Sequence, residues 1–151
     1  MIFSKTSRVL TKADIAEAET RLGLSFPESF TRHYLKYNGG IPSKTYFYSE
    51  ESDTEIEVQI FAPIQYKYSE YDQLNTVEEL YLLFERRSEM MSDYLPFAND
   101  YGGNPICFNV KTGKVYILWM DLGEITQKGF RYLAENFDEF ISGLTEQSID
   151  D

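Results

Sequence analysis

One cysteine, Cys107, and one histidine, His33, in 151 residues remove several classes of chemistry at the outset. A lone cysteine forms no intramolecular disulfide. A structural zinc site, which takes four Cys or His ligands, has no set to draw on. Cys107 falls in an apolar strand pattern and reads as a small buried hydrophobe. Pairing it with His33 as nucleophile and base is disfavoured, because His33 falls mid-helix beside Arg32 and the thiol reads as inert. Long apolar runs are missing too. The longest, from Val115 to Met120, is far short of the roughly 20 residues a membrane-spanning helix needs. Residues 1–8 lack the apolar core of a secretory signal, so the expected compartment is the cytoplasm.

Basic residues are also scarce: 14 Lys and Arg against 25 Asp and Glu, a net charge of −11. The imbalance is uneven. Residues 1–40 carry a balance of +2 and residues 41–151 one of −13. Such a field repels nucleic-acid phosphate and anionic membrane surfaces, which argues against direct binding to either. It suits a basic protein, whose encounter rate it raises.

What is abundant is tyrosine and phenylalanine, 12 and 11 residues. The length predicts one domain, 1–151, able to bury roughly 70% of its unfolded surface and so to fold without a staple. The phenylalanines suit such a core. Many tyrosines stand beside acids, which a core alone does not require.

Capping signals and periodicity place the elements. Thr11 with Asp14 makes a capping box ahead of Ile15, Ala18 and Leu22, and Gly23 ends that helix. Pro27 opens a second helix with Phe30, Tyr34 and Tyr37 on one stripe, closed by Asn38, Gly39 and Gly40. The pattern then changes to period two. Tyr46 and Tyr48 flank Phe47, and Ile56, Val58 and Ile60 alternate with Glu55, Glu57 and Gln59, predicting strands with one wet, acidic face around a solvated turn at 49–53. Thr76 with Glu79 caps a third helix, whose expected apolar spacing runs through Leu80, Leu83 and Phe84. A final helix starts near Asn136 with Phe137, Phe140, Ile141 and Leu144 inward, and 145–151 reads as a frayed polar tail. This order predicts an α+β fold: a mostly antiparallel sheet of about five to six strands packed with about four helices.

The stretch 95–108 is the most distinctive. Leu95, Phe97, Ile106 and Phe108 read as two strand ends, joined through Asn99, Asp100, Tyr101, Gly102, Gly103 and Asn104. Paired glycines and Asn/Asp side chains suit a tight turn. The spacing does not fit a twelve-residue calcium loop, and no Lys-Ser/Thr follows the glycines as a phosphate loop requires. The turn is therefore expected to be structural.

Four blocks together resemble the SUKH superfamily, which contains SMI/KNR-type regulators of fungal cell-wall synthesis and many bacterial immunity proteins. They are Leu10 to Ile15 with Glu19 and Leu22; Phe26 and Pro27 with Phe30, Tyr34, Leu35, Asn38, Gly39 and Gly40; Leu95 to Asp100 with Gly103, Asn104, Val115 and Tyr116; and Phe137 to Ile141. They span about 10–144. Phe26 stands where the family usually has Leu, and 41–93 contains none of the blocks. The resemblance implies a non-enzymatic binding protein without a cofactor: an antitoxin that neutralises a toxin domain, often a nuclease, encoded by a neighbouring gene. The alternatives are a regulatory scaffold with several partners and, third, a small hydrolase.

The acidic, tyrosine-rich middle is the expected partner-binding surface. Tyr46, Tyr48, Glu50, Glu51, Asp53, Glu55 and Glu57 make one cluster, and Tyr66, Tyr68, Glu70, Tyr71 and Asp72 a second. Tyrosine buries a large area for little lost entropy. Acids beside it can pair with the Lys and Arg by which a nuclease holds phosphate. No catalytic or metal-ligating residue is assigned.

Overall fold

Capping chemistry sets where the helices begin. In the computed structural model, which describes residues 1–68, 74–120 and 125–151, α1 (Lys12–Leu22) opens on Thr11. The Thr11 hydroxyl accepts from the Asp14 amide at 3.1 Å and the Asp14 carboxylate accepts from the Thr11 amide at 2.9 Å. That bond holds the Asp14 carboxyl below its ordinary range. Gly23 closes α1 in the left-handed conformation. Thr76 and Glu79 repeat the reciprocal cap at α3 (Val77–Arg87), and the Asn136 side chain caps α4 (Phe137–Ser142). Pro27 precedes α2 (Glu28–Lys36), which stops at Lys36 because Tyr37 is extended.

Asn38, Gly39 and Gly40 therefore lie beyond the helix rather than in its closing turn. The buried Asn38 amide donates to the carbonyls of Arg8 and Ile64, and its oxygen accepts from the Ile64 amide. Gly40 has φ of 101°, and a Cβ there would lie 2.5 Å from the Ser4 carbonyl. Only glycine fits so close to another backbone.

Two short strands, β1 (Phe3–Ser4) and β2 (Ile41–Pro42), pair at the side of the fold. The main sheet has six antiparallel strands in chain order: β3 (Tyr46–Ser49), β4 (Thr54–Phe61), β5 (Tyr94–Asp100), β6 (Pro105–Asn109), β7 (Val115–Leu118) and β8 (Phe130–Ala134). Among the described residues, four helices with this sheet make an α+β single domain, as the element order predicts. Among the described residues, no helix is long and apolar enough to cross a membrane.

Alternation along the strands separates two apolar layers. Ile106, Phe108, Val115 and Ile117 point into the main core beneath the helices, with Phe30 at its centre. The Phe30 ring lies 4.5 Å from Tyr34 and 5.1 Å from both Phe108 and Phe137, centroid to centroid. Cys107 and Leu118 point the other way, into a smaller cluster with Met91 and Tyr94.

The turn between β5 and β6 is held by its own polar residues. Asp100 Oδ1 accepts from the Gly102 and Asn104 amides at 3.0 and 2.8 Å, and Gly103 has a φ of 83°. Asn104 Oδ1 in turn accepts from the Met120 amide, tying the turn to the end of β7.

Two expectations are corrected. The inner face of α3 is Val77, Glu78 and Tyr81, with Leu80 and Phe84 half-buried against the apolar clusters as expected, whereas Leu83 is 45% exposed. A buried Glu78 is tolerable because it accepts from the Gln65 amide at 3.1 Å and lies 3.8 Å from Arg21 on α1. Residues 145–151 are not frayed. Thr145 exchanges two backbone bonds with Tyr46, at 3.0 and 2.8 Å, and residues 146–151 fold back over β4.

Candidate interaction face

The β3–β4 hairpin puts consecutive residues on opposite faces. Phe47 and Ile56 face inward, while Tyr46 lies across from Glu57 and Tyr48 across from Glu55 on the outer side. The turn 50–53 carries Glu50, Glu51 and Asp53 at the end of this ribbon. Seven of the residues expected to bind a partner are thus gathered on one strand pair and its turn. Tyr48 donates to Asp53 at 2.8 Å, and Tyr46 to Glu57. A phenol bonded to a carboxylate resists ionisation, so both tyrosines titrate above their ordinary value and remain neutral donors.

The second expected cluster does not join this face. Tyr66 lies under the Arg8 guanidinium and donates to Asp14, against α1. Tyr68 is buried. Its hydroxyl bonds the Phe61 carbonyl and the Gly40 amide, and burial pushes it up to about 12. Glu70, Tyr71 and Asp72 lie outside the described residues.

The face extends in a direction that sequence spacing did not indicate. The curl of the sheet brings its two edges together, so that Ser52 Oγ donates to the Tyr132 carbonyl on β8 at 2.6 Å. Tyr132 donates to Glu135 at 2.5 Å, and burial together with that carboxylate raises its pKa. Burial likewise raises Tyr116, with Glu135 and Glu51 adding to the effect. Phe130 stacks on Tyr94 at 4.3 Å and meets Tyr116 edge-on. Tyr116, Phe130, Tyr132 and Glu135 therefore continue the acidic, aromatic surface across the seam. Alternation of Tyr116 and Tyr132 with Ile117 and Leu133 was the available signal. Their nearness to Glu51 depends on the curl.

Charge on this surface is not neutralised from within. Among the described residues, no ion pair involves Glu50, Glu51, Asp53, Glu55 or Glu57. Glu135 alone has a cation nearby, Lys114 at 3.9 Å. Among the described residues no group of three or more His, Cys, Asp and Glu is arranged to hold a metal.

Cys107 and His33 are kept apart. Cys107 is fully buried in the smaller cluster, and burial pushes its thiol well up. His33 sits among Phe3, Tyr34, Phe61 and Phe137 on the helical side, where burial lowers it to about 4. A cleft of about 250 Å³ between β4, β5 and α3 is lined by Ile60, Ala62, Tyr68, Leu80, Asn99 and Pro105, among others, and by neither Cys107 nor His33.

An α+β domain with helices over one sheet face and tyrosines and acids on the other is the class this geometry defines. The chain matches the SMI1 / KNR4 family (SUKH-1) over residues 9–143 and belongs to that family. It is also 25% identical to the SPbeta prophage-derived uncharacterized protein YokK of Bacillus subtilis (strain 168), over 93% of this chain and 77% of that protein. The superfamily resemblance read from the four sequence blocks is thereby established, and it places the chain among immunity-protein-like domains.

Proposed function

We propose that the chain is a non-enzymatic immunity protein that binds a cognate toxin, a basic nuclease domain, through the outer face of β3 and β4. The observation that carries this reading is the set of carboxylates at 50, 51, 53, 55 and 57. They share one ribbon and have no cation of their own among the described residues. Keeping like charges side by side is unfavourable unless a partner neutralises them. Complementary fields also accelerate encounter. Tyr46 and Tyr48, oriented by their bonds to Glu57 and Asp53, supply contact area between the charges. Likeness to a prophage-derived protein fits a gene that travels with a toxin.

The test is co-expression with the product of the adjacent gene, followed by co-purification and a survival assay. Association that weakens with salt and protects the cell supports the reading. A neighbour that is neither toxic nor bound overturns it.

A further inference from the structure

Residues 146–151 lie over the proposed interface, and they are held there by one side chain. Glu55 accepts from the Ser148 hydroxyl at 2.6 Å through one oxygen and from the Ile149 amide at 2.8 Å through the other. The Asp150 amide donates to Ser148 Oγ and the Asp151 amide to the Ser148 carbonyl, so the segment forms a compact turn on that anchor. Thr145, paired with Tyr46, fixes the near end.

Little else holds the far end. Ile149 is 58% exposed, and an open hollow of about 600 Å³ lies beside Lys44 and residues 144–149. Glu146, Asp150 and Asp151 bring further negative charge onto an acidic face. Apart from the Thr145 hydroxyl bond to the Gln147 carbonyl, the segment therefore rests on two neutral donors to Glu55, with little apolar burial and against like charge.

We propose that residues 146–151 act as a latch over Glu55, which a basic partner displaces when it binds. This rests on the reading of the β3–β4 face as the partner site and adds to it a built-in competitor. A lysine or arginine offers the same carboxylate N–H donors with a positive charge, and charge-assisted bonds are the stronger kind. While the latch is closed, both Glu55 oxygens are occupied, and the face presents its remaining acids. Displacement frees Glu55 for the cation and lets residues 146–151, acidic themselves, settle around the partner's basic surface.

The decisive variant combines Ser148→Ala with Ile149→Pro, which removes both donors and leaves every charge in place. Both positions lie beyond the last helix, and circular dichroism checks that the fold is kept. The probe is a labelled oligoarginine peptide at low salt, read by anisotropy and by amide shifts. The double variant binds about fivefold tighter than the unaltered protein. That gain corresponds to a latch closed about four times as often as open, since apparent affinity scales with the competent fraction. Adding Glu55→Gln to the double variant abolishes the gain. Equal binding by both proteins, with shifts at residues 46–57 in each, overturns the latch and leaves the partner face standing. Absence of binding at 46–57 in both overturns the partner face and the latch with it.

Discussion

Phe47 and Tyr48 are neighbours on one strand and belong to different parts of the molecule. Phe47 is 5% exposed and packs on Phe140 at 4.9 Å, inside a layer where ring meets ring from β1 to α4. Tyr48 faces outward, bonded to Asp53. The inner face is satisfied largely from within: its aromatic side chains have partners and buried Asn38 makes three hydrogen bonds, while His33 Nε2 is buried without a partner. The outer face is satisfied in its hydroxyls and unsatisfied in its charge. The interactions of one face stabilise the fold, and those of the other remain open to a second molecule, as the proposed function requires.

That contrast can be broken most severely at Phe30. Phe30→Ala opens a cavity among five rings and costs about 3–5 kcal/mol of unfolding free energy, measured by denaturant titration. Phe47→Ala costs a comparable amount, whereas Tyr48→Ala costs less than about 1 kcal/mol. Equal losses at the two neighbours would mean that the faces do not differ as described.

Acid sharpens the comparison from the inner side. His33 titrates at about 4 in the fold because burial opposes its charge, with Lys36 adding to the effect and Asp138 opposing it. The unfolded chain takes up that proton near pH 6.5. Stability from this residue is complete above pH 6.5, falls as pH drops through the window, and is lost by about pH 4. The sum is on the order of 2–3 kcal/mol. A His33→Phe variant keeps a ring in the aromatic nest, so its stability falls less than that of the unaltered protein between pH 7 and 4. Identical curves would show that His33 is not held neutral.

Glu50→Lys, Glu51→Lys and Asp53→Lys together test the outer face. Association with the proposed basic partner slows about tenfold at low salt, while the unfolding free energy falls by about 1 kcal/mol or less, the loss coming from the Tyr48–Asp53 bond. Unchanged association places the interface elsewhere. The smallest effect belongs to the seam: Ser52→Ala removes one bond to β8, costs about 1 kcal/mol or less, and loosens the link between the hairpin and Tyr132.

Much of this was legible because it is local. Thr11 with Asp14, Thr76 with Glu79, and Asn136 each announce a helix within four residues, and Asp100 holds its own turn. The alternation from Thr54 to Val58 is long enough to assign a strand and its acidic face; beyond it a bulge shifts the register, so Phe61 is buried where the spacing pointed to Ile60. The strand Phe130–Ala134 was missed although Tyr132 and Leu133 alternate there, and Phe3–Ser4 because two residues give no alternation. On α3, Leu80 and Phe84 pack inward as their spacing indicates, but Leu83 is as apolar as Val77 and Tyr81 and lies exposed. Which stripe turns inward depends on Arg21 and Gln65 reaching Glu78, contacts made across the fold. The site divides in the same way. Glu50 to Glu57 assemble through one hairpin, whereas Tyr116, Tyr132 and Glu135 arrive only because the sheet curls. Tyr66 and Tyr68 look like their outward counterparts in sequence and are claimed by α1 and the Asn38 connection.

The pairing of Thr145 with Tyr46 has one more consequence. Outer strands of open sheets expose a row of free amides and carbonyls on which another chain can grow, and tyrosine-rich ribbons are well suited to such growth. Thr145 occupies the Tyr46 positions on β3, and Ser52 occupies the Tyr132 carbonyl on β8. Charged side chains at 50, 51, 53 and 135 discourage stacking at the remaining margin. The molecule thus displays a sticky aromatic surface while closing points from which its own copies could extend it into fibres.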